Sequence, residues 1–393
     1  MDPIPLNSSR WLPAFAALLG LFVFAVSANA LPAALVRAAK EFEVGIGAMA
    51  QVSAVQFVGF IVASIAGGVL SDRLGKKHVL QGACALLLVG SMVVSLASEL
   101  QHAFAGACLM GLGGGILESL STTLLSDLFP DRRKFFLNFS QVVFSSGAVA
   151  GPFLMGLLLP LGVSWRLCFG GIGGLSIVLF GLFSISHIPK PTHDERIHFE
   201  ALGRIVRRPA LLMICVALFG YVLTESAVVI YANAYLQTEH NAPERWAIYG
   251  LSLFWFSMGL GRILCALIPE RVPYRPVIAG LLLLTTLPLI LQYWASGWVV
   301  SLVLFALTGL ACAGTWPLII GMTASRFPGY SGTVLGITIA VGAMGCAMAP
   351  TVMNALFDHI TASAVFPAVS LSLVVSLVLI FLLAYCDSGR MAK

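Results

Sequence analysis

Long apolar runs alternate with short polar connections along the 393-residue chain. A helix needs about twenty apolar residues to cross a hydrocarbon core about 30 Å thick. Twelve runs meet this requirement, and they lie at approximately 11–31, 49–70, 79–97, 103–125, 137–160, 166–186, 210–236, 246–268, 276–294, 298–323, 332–356 and 363–385. The pattern predicts an all-α integral membrane protein with twelve transmembrane helices, called segments one to twelve below.

Composition supports the same class. Charged residues make up 10% of the chain and apolar residues 59%, with a mean hydropathy of +0.96, whereas a soluble domain carries roughly 25% charged residues. The runs also lack the polar face at a period of about 3.6 residues that a helix on a soluble core shows. The lipid bilayer is therefore the expected surrounding. Nucleic acid is not an expected partner, because the basic residues lie in short loops.

One long polar connection, which contains IPKPTHDERIHFEALGRIVRRP, divides the segments six and six. The predicted organisation is a first half at 1–186, a cytoplasmic linker at 187–209 and a second half at 210–393. The linker is expected to form an amphipathic helix at the membrane surface, since Ile197, Leu202 and Ile205 can face lipid. A metal site at His193 and His198 is the alternative.

Basic residues are distributed asymmetrically. With the N-terminus placed in the cytoplasm, seventeen of the 22 lysines and arginines fall on the inner side. Short loops rich in Lys and Arg stay in the cytoplasm. Both termini are therefore predicted to be cytoplasmic, and the expected location is the plasma membrane, in a bacterium the inner membrane.

A charged hairpin, GGVLSDRLGKKH at Gly67–His78, separates segments two and three. Asp72, Arg73 and Lys77 recur 198 residues later as Glu270, Arg271 and Arg275, and the same offset relates further pairs of residues outside the hairpin. One constant offset that joins separate landmarks indicates two fused copies of one unit.

The pattern Gly68-x-x-x-Asp72-Arg73-x-Gly75-Lys76-Lys77 resembles the signature loop between helices two and three of the major facilitator superfamily. The resemblance implies two six-helix halves. We expect the hairpin to act as a conformational latch, because Asp72 can accept hydrogen bonds from a helix N-terminus near Ser331–Thr333. The latch residues are predicted to be Asp72, Arg73, Gly75, Lys76, Lys77, Arg132 and Arg133.

Two acidic residues lie at membrane depth, Glu118 in segment four and Glu225 in segment seven. A charged side chain at the bilayer centre costs about 3 kcal/mol or more, so each acid is a functional candidate. A buried hydrogen bond between helices is the structural alternative for both. Tyr221 precedes Glu225 by four residues and shares its helix face. Glycines 111, 113, 114 and 115 precede Glu118, and we interpret them as helix-packing residues rather than a phosphate-binding loop.

Segments four, five, seven and eight resemble the sugar:proton symporter group that includes fucose permease. In that group a glutamate on helix four and a glutamine on helix five face the sugar cavity, and these positions match Glu118 and Gln141. The sequence departs from the group at Phe144, where relatives have asparagine, and in segment one, where Ser27 and Asn29 replace an acid.

Aromatic side chains complete a sugar site, because the apolar face of a sugar stacks on flat rings. The predicted substrate-binding residues are Glu225, Gln141, Asn29, Tyr221, Trp316 and Trp255. Glu118 is predicted to carry the proton. Under the 198-residue repeat, Trp316 corresponds to Glu118.

These features predict a monomeric secondary transporter of a small polar solute, most simply a sugar, that works by alternating access and proton symport. A proton-coupled efflux antiporter for drugs or metabolites is the alternative within transport. A receptor or membrane enzyme is the alternative outside it, and an enzyme is not expected because no Ser, His and Asp constellation lies at membrane depth. No cofactor or metal is expected, since the sequence has no nucleotide-binding motif and the eight cysteines form no C-x-x-C pair.

Overall fold

The computed structural model describes residues 10–188, 208–268, 271–327 and 331–391. Within these ranges the chain is almost entirely α-helical and contains no β-strand. The helices of the first half are α1 Trp11–Glu41, α2 Ile46–Leu74, α3 Lys76–Ser95, α4 Leu100–Leu128, α5 Arg133–Leu158 and α6 Trp165–Ile185. Those of the second half are α7 Pro209–Thr238, α8 Glu244–Ala266, α9 Tyr274–Leu291, α10 Trp298–Cys312, α11 Thr315–Arg326, α12 Ser331–His359 and α13 Ala362–Met391.

Twelve helical spans in the described ranges are long and apolar enough to cross a membrane. They run from 20 to 31 residues, which at 1.5 Å per residue matches or exceeds a hydrocarbon core of about 30 Å. The prediction of an all-α protein with twelve transmembrane helices is confirmed. Most of the predicted linker helix, including Ile197, Leu202 and Ile205, lies outside the described residues.

The tenth span, Trp298–Arg326, differs from the continuous helix expected from its hydrophobicity. It is divided by a turn at Ala313 and Gly314 into α10 and α11. Pro317 explains the break, because its ring clashes with the carbonyl four residues earlier and it has no N–H to bond that carbonyl. The affected carbonyl belongs to Ala313, the residue at which α10 has ended.

The chain forms two compact units. The first contains Met1–Gly45 and Val55–His193, and the second contains Ile46–Ala54 and Asp194–Lys393. The start of α2 thus groups with the second unit, where the Asn354 side chain donates a hydrogen bond to the Gly47 carbonyl over 3.1 Å.

The glycine-rich stretch of α4 forms the packing surface of the first unit. A Cβ atom added at Gly111, Gly113, Gly114 or Gly115 would overlap a neighbouring helix. The atoms met are the carbonyl of Gln56 on α2, the carbonyl of Ala83 on α3, the ring of Phe24 on α1 and the carbonyl of Phe60 on α2. Small residues that bring helix backbones together are typical of membrane bundles. The four glycines therefore act in helix packing, as their position within an apolar run indicated.

Helix α7 is the central helix of the second unit, since 78% of its most apolar 18-residue stretch is buried. Its polar side chains find partners on α13. The Thr224 hydroxyl lies 2.6 Å from that of Ser372, which also donates to the Gly220 carbonyl over 2.8 Å. Ser376 donates to the Ala217 carbonyl over 2.9 Å. These bonds satisfy polar groups that no water would reach in a bilayer interior.

Candidate functional site

Glu118 is half-buried in the first unit, on the last half of α4. Gly114, one helical turn earlier on the same face, lies against the Phe24 ring of α1. The Thr122 hydroxyl donates a hydrogen bond to the Glu118 backbone carbonyl over 2.8 Å. This bond does not involve the Glu118 carboxylate. Because Gly114 has no side chain, the Phe24 ring can lie against α4 there. This aromatic surface is one turn from Glu118, the predicted proton carrier.

Helix α5 brings Phe144 to the same aromatic residue, Phe24, and Gln141 precedes Phe144 by three residues. Both side chains are half-buried and lie on one face, since they are three residues apart. The Phe144 ring is 6.0 Å from that of Phe24, measured between centroids, and Phe24 stacks on Phe60 at 5.5 Å with an interplanar angle of 8°. We call Phe24, Phe60 and Phe144 the aromatic cluster of the first unit. The predicted pair Glu118 and Gln141 flanks this cluster.

Asn29 is buried on α1, and its side-chain nitrogen donates to the Ala25 carbonyl of the same helix over 2.9 Å. Nearby on α1, the Ser27 hydroxyl accepts a 3.4 Å hydrogen bond from Gln56 of α2. The side-chain oxygen of Gln56 is buried, and no described residue bonds it. An unsatisfied buried acceptor costs about 1 to 3 kcal/mol, so Gln56 is a candidate ligand that the sequence analysis missed. An amide at membrane depth, as at Gln141, was the signal that could have identified it.

Glu225 and Tyr221 lie together in the second unit. The two side chains line one pocket, and the Arg262 guanidinium of α8 interacts electrostatically with both. The Tyr221 hydroxyl also donates to the Cys312 carbonyl at the end of α10 over 3.1 Å. The remaining residues that surround Glu225 are Thr224 on α7, Thr285 on α9, Thr308 on α10 and Leu373 on α13.

The pocket that these residues line bears on the predicted role of Glu225. The space between its side chains is too small for a water molecule. Glu225 itself is half-buried, so part of it is accessible outside this space. Arg262 was not foreseen as a partner, because Arg262 lies in another segment and nothing in the sequence fixes its distance from Glu225.

The two predicted tryptophans lie on different helices of the second unit. Trp255 is buried on α8 beside Phe254, with ring centroids 5.7 Å apart. Trp316 is half-buried in the first turn of α11 and packs near Gly342 of α12. A separate cavity of about 390 Å³ in this unit is lined by apolar residues of α8, α9 and α10 and includes neither tryptophan. Its lining suits lipid chains better than a polar solute.

The charged hairpin is tied to its own unit by its lysines. Gly75 has a φ of +82°, a conformation that favours glycine and permits the abrupt turn from α2 to α3. Lys76 forms an ion pair with Asp127 of α4, and Lys77 donates to the Ser184 carbonyl of α6 over 2.6 Å. Arg73 and Arg132 are exposed. The side chains of Asp72, Arg133 and Ser331–Thr333 lie outside what the structure describes, so the latch contacts remain predictions.

Comparison with known proteins identifies the family. Residues 16–274 match the family profile described as Major Facilitator Superfamily. The chain belongs to the major facilitator superfamily. It is 28% identical over 235 residues to the protein named uncharacterized MFS-type transporter YuxJ of Bacillus subtilis, covering 56% of this chain and 58% of the relative. The gentisate transporter of Corynebacterium glutamicum is 26% identical over 349 residues, or 81% of this chain and 74% of that protein.

Solved structures of other transporters share the fold. The structure of a D-xylose-proton symporter has a TM-score of 0.74 at 16% identity and covers 95% of this chain and 97% of its own. That of a mutant of the nucleoside transporter NupG has a TM-score of 0.78 at 14% identity and covers 95% and 99%. At these identities the likeness establishes the fold. The narrower resemblance to the fucose permease group is compatible with it and stays a prediction.

Proposed function

We propose that this superfamily member is a proton-coupled symporter of a small polar solute that works by alternating access. The observation that carries the proposal is the position of Glu118, a carboxylate on a membrane-spanning helix, one turn from the aromatic cluster that Gln141 also flanks. A carboxyl group at membrane depth can exist charged or neutral, so it can take a proton on one side and release it on the other. Glu118 is the proposed proton carrier.

A sugar is the first proposed substrate. Gln141, Asn29 and Gln56 supply amide groups that can bond hydroxyls, while Trp255 and Trp316 supply flat surfaces for the apolar face of a sugar ring. Glu225, which is half-buried, and the neighbouring Tyr221 join this set. The structural likeness to the D-xylose-proton symporter supports this substrate class without fixing the individual sugar.

An aromatic carboxylic acid is the second proposed substrate, and a specific observation favours it. Phe24, Phe60 and Phe144 form a group of three neighbouring rings, and Gln141 lies near Phe144 on α5. A contact between two aromatic rings stabilises by about 0.5 to 1.5 kcal/mol beyond the contribution of the area it buries. Phe144 also replaces the asparagine of the sugar-transporting group. The relative from Corynebacterium glutamicum is named for transport of gentisate, an aromatic acid.

Transport by the purified protein distinguishes these substrates. Proteoliposomes would be supplied with labelled xylose, fucose or gentisate, each with and without an imposed pH gradient. We expect one solute class to accumulate only when protons flow down their gradient. Uptake that ignores the gradient would mean facilitated diffusion. Absence of uptake together with proton-driven extrusion of amphipathic cations would indicate the efflux antiporter instead.

We further propose that the protein lies in the bacterial inner membrane with both termini in the cytoplasm. The test uses single cysteines in a variant that lacks the eight native ones. A cysteine at Gln101, exposed at the start of α4, should react with a membrane-impermeant maleimide added to intact cells. The matched cysteine at Arg271, exposed in the loop between α8 and α9, should react only after lysis. The opposite labelling pattern would reverse the orientation.

A further inference from the structure

We propose that Glu225, Tyr221 and the Cys312 carbonyl form a proton-dependent switch that caps or releases the break in the tenth span. This inference goes beyond the proposed role of Glu118 and concerns a second titratable group, in the second unit. It rests on which atoms the Tyr221 hydroxyl can bond at one time.

The Tyr221 hydroxyl has one proton to donate. It donates a hydrogen bond to the Cys312 carbonyl over 3.1 Å, and the Glu225 carboxyl, four residues further along α7, lines the same pocket. A phenol can donate one hydrogen bond and accept others, whereas an ionised carboxylate can only accept. Tyr221 can therefore donate to Cys312 while bonded to Glu225 only when Glu225 is protonated and acts as the donor.

The two protonation states then give two hydrogen-bond arrangements. With Glu225 protonated, the carboxyl donates to the Tyr221 oxygen and Tyr221 donates to the Cys312 carbonyl, as a chain of two bonds. With Glu225 ionised, the hydroxyl turns to the carboxylate, because hydrogen bonds to charged acceptors are roughly twice as strong as neutral ones. The Cys312 carbonyl then loses its donor.

Loss of the hydrogen bond to the Cys312 carbonyl would leave the end of α10 without this partner. Cys312 is the last residue of α10, and the last four carbonyls of a helix have no partner within the helix. Backbone polar groups at membrane depth need partners, since water is absent there. The hydroxyl of Tyr221 thus acts as a cap on α10. Trp316, a predicted substrate contact, lies in the first turn of α11 just beyond the break.

Other groups around the pair make both states attainable. Arg262 on α8 interacts electrostatically with Glu225 and offsets the cost of an ionised carboxylate in the bilayer. The Cys312 thiol is the other ionisable group that interacts with the pair. The helices α9 and α13 contribute Thr285 and Leu373, which carry no charge. On α12 the thiol of Cys346 faces α7, where it accepts a hydrogen bond from Ser226 over 3.1 Å.

Hydrogen–deuterium exchange at the break tests the switch without substrate or transport. Exchange of the backbone amides of residues 313–316 would be measured in detergent-solubilised protein at acidic and alkaline pH, after correction for the chemical dependence of exchange on pH. We expect corrected exchange to be about three- to tenfold faster at alkaline pH, the effect of losing one buried hydrogen bond.

Variants separate the switch from general loosening of the bundle. Glu225→Gln cannot ionise, so exchange at the break should stay slow at every pH. Tyr221→Phe removes the hydroxyl and keeps the ring, so exchange should be fast at every pH. The matched control is Tyr231→Phe on the same helix, whose hydroxyl bonds the Pro350 carbonyl over 3.2 Å on α12. This control should retain the pH dependence of the wild type.

The result that overturns the switch is corrected exchange that does not depend on pH in the wild type, or that keeps its dependence in Glu225→Gln. Glu225→Gln decides the question even if Tyr221→Phe fails to fold. The outcome is independent of the proposed symport. A chain that transports through Glu118 but shows no such exchange disproves the switch alone, and a chain that shows the exchange but no proton-driven uptake disproves the symport alone.

Discussion

Replacing Glu118 by glutamine is expected to abolish accumulation of solute against its gradient while leaving exchange of solute across the membrane largely intact. Glutamine keeps the size and hydrogen-bonding capacity of the side chain, but it cannot take up or release a proton. One pH unit corresponds to about 1.4 kcal/mol, so one-to-one symport can support up to about tenfold accumulation for each unit of imposed gradient. The variant should reach no more than equal concentrations inside and outside.

The measurement compares gradient-driven uptake and counterflow exchange in proteoliposomes of equal protein content. Glu99→Gln is the matched control, because Glu99 is exposed just before the start of the same helix. It should accumulate solute like the wild type. If Glu118→Gln still concentrates solute, proton coupling resides elsewhere, and Glu225 becomes the first residue to test.

Replacing Gly111 by alanine is expected to destabilise the first unit, although alanine is intrinsically the better helix former by about 1 kcal/mol. The added methyl group would overlap the backbone carbonyl of Gln56 on α2. A backbone atom in a packed helix cannot move aside as a side-chain tip can, so α2 and α4 must separate. Overpacking of this kind costs about 1 to 3 kcal/mol.

Thermal unfolding in detergent provides the measurement, with Gly82→Ala as the matched control. Gly82 lies within α3, and a Cβ added there meets nothing within 4 Å. This control should be as stable as the wild type or slightly more stable. Equal melting temperatures for Gly111→Ala and Gly82→Ala would mean that α4 does not pack through its glycine face.

Hydropathy alone did not predict the break in the tenth span. The run was uniformly apolar and predicted one helix, yet Pro317 and Gly314 carried the local information needed to foresee an interruption. The position of the break matters because the Cys312 carbonyl meets Tyr221, 91 residues away along the chain. No local pattern predicts that meeting.

For the candidate site residues, the sequence predicted neighbours on the same helix but not neighbours from other helices. Helical spacing placed Tyr221 and Glu225 on one face, and both side chains line one pocket in the structure. Spacing could not identify Arg262 as the nearby cation, nor the aromatic cluster beside Glu118. These neighbours come from separate helices, and their contact depends on how helices rotate and pack.

The sequence by itself determined the class of this protein, its twelve spans and the polar residues at membrane depth. These properties follow from consecutive residues, because crossing a bilayer requires a minimum apolar length and a buried charge is costly wherever it lies. Only the tertiary structure decided what each polar residue meets. The glycines of α4 set how closely helices approach, and that approach brings Phe24 to Gly114 and leaves the Gln56 oxygen without a described partner. Such contacts arise from packing between distant segments, which no one-dimensional pattern contains.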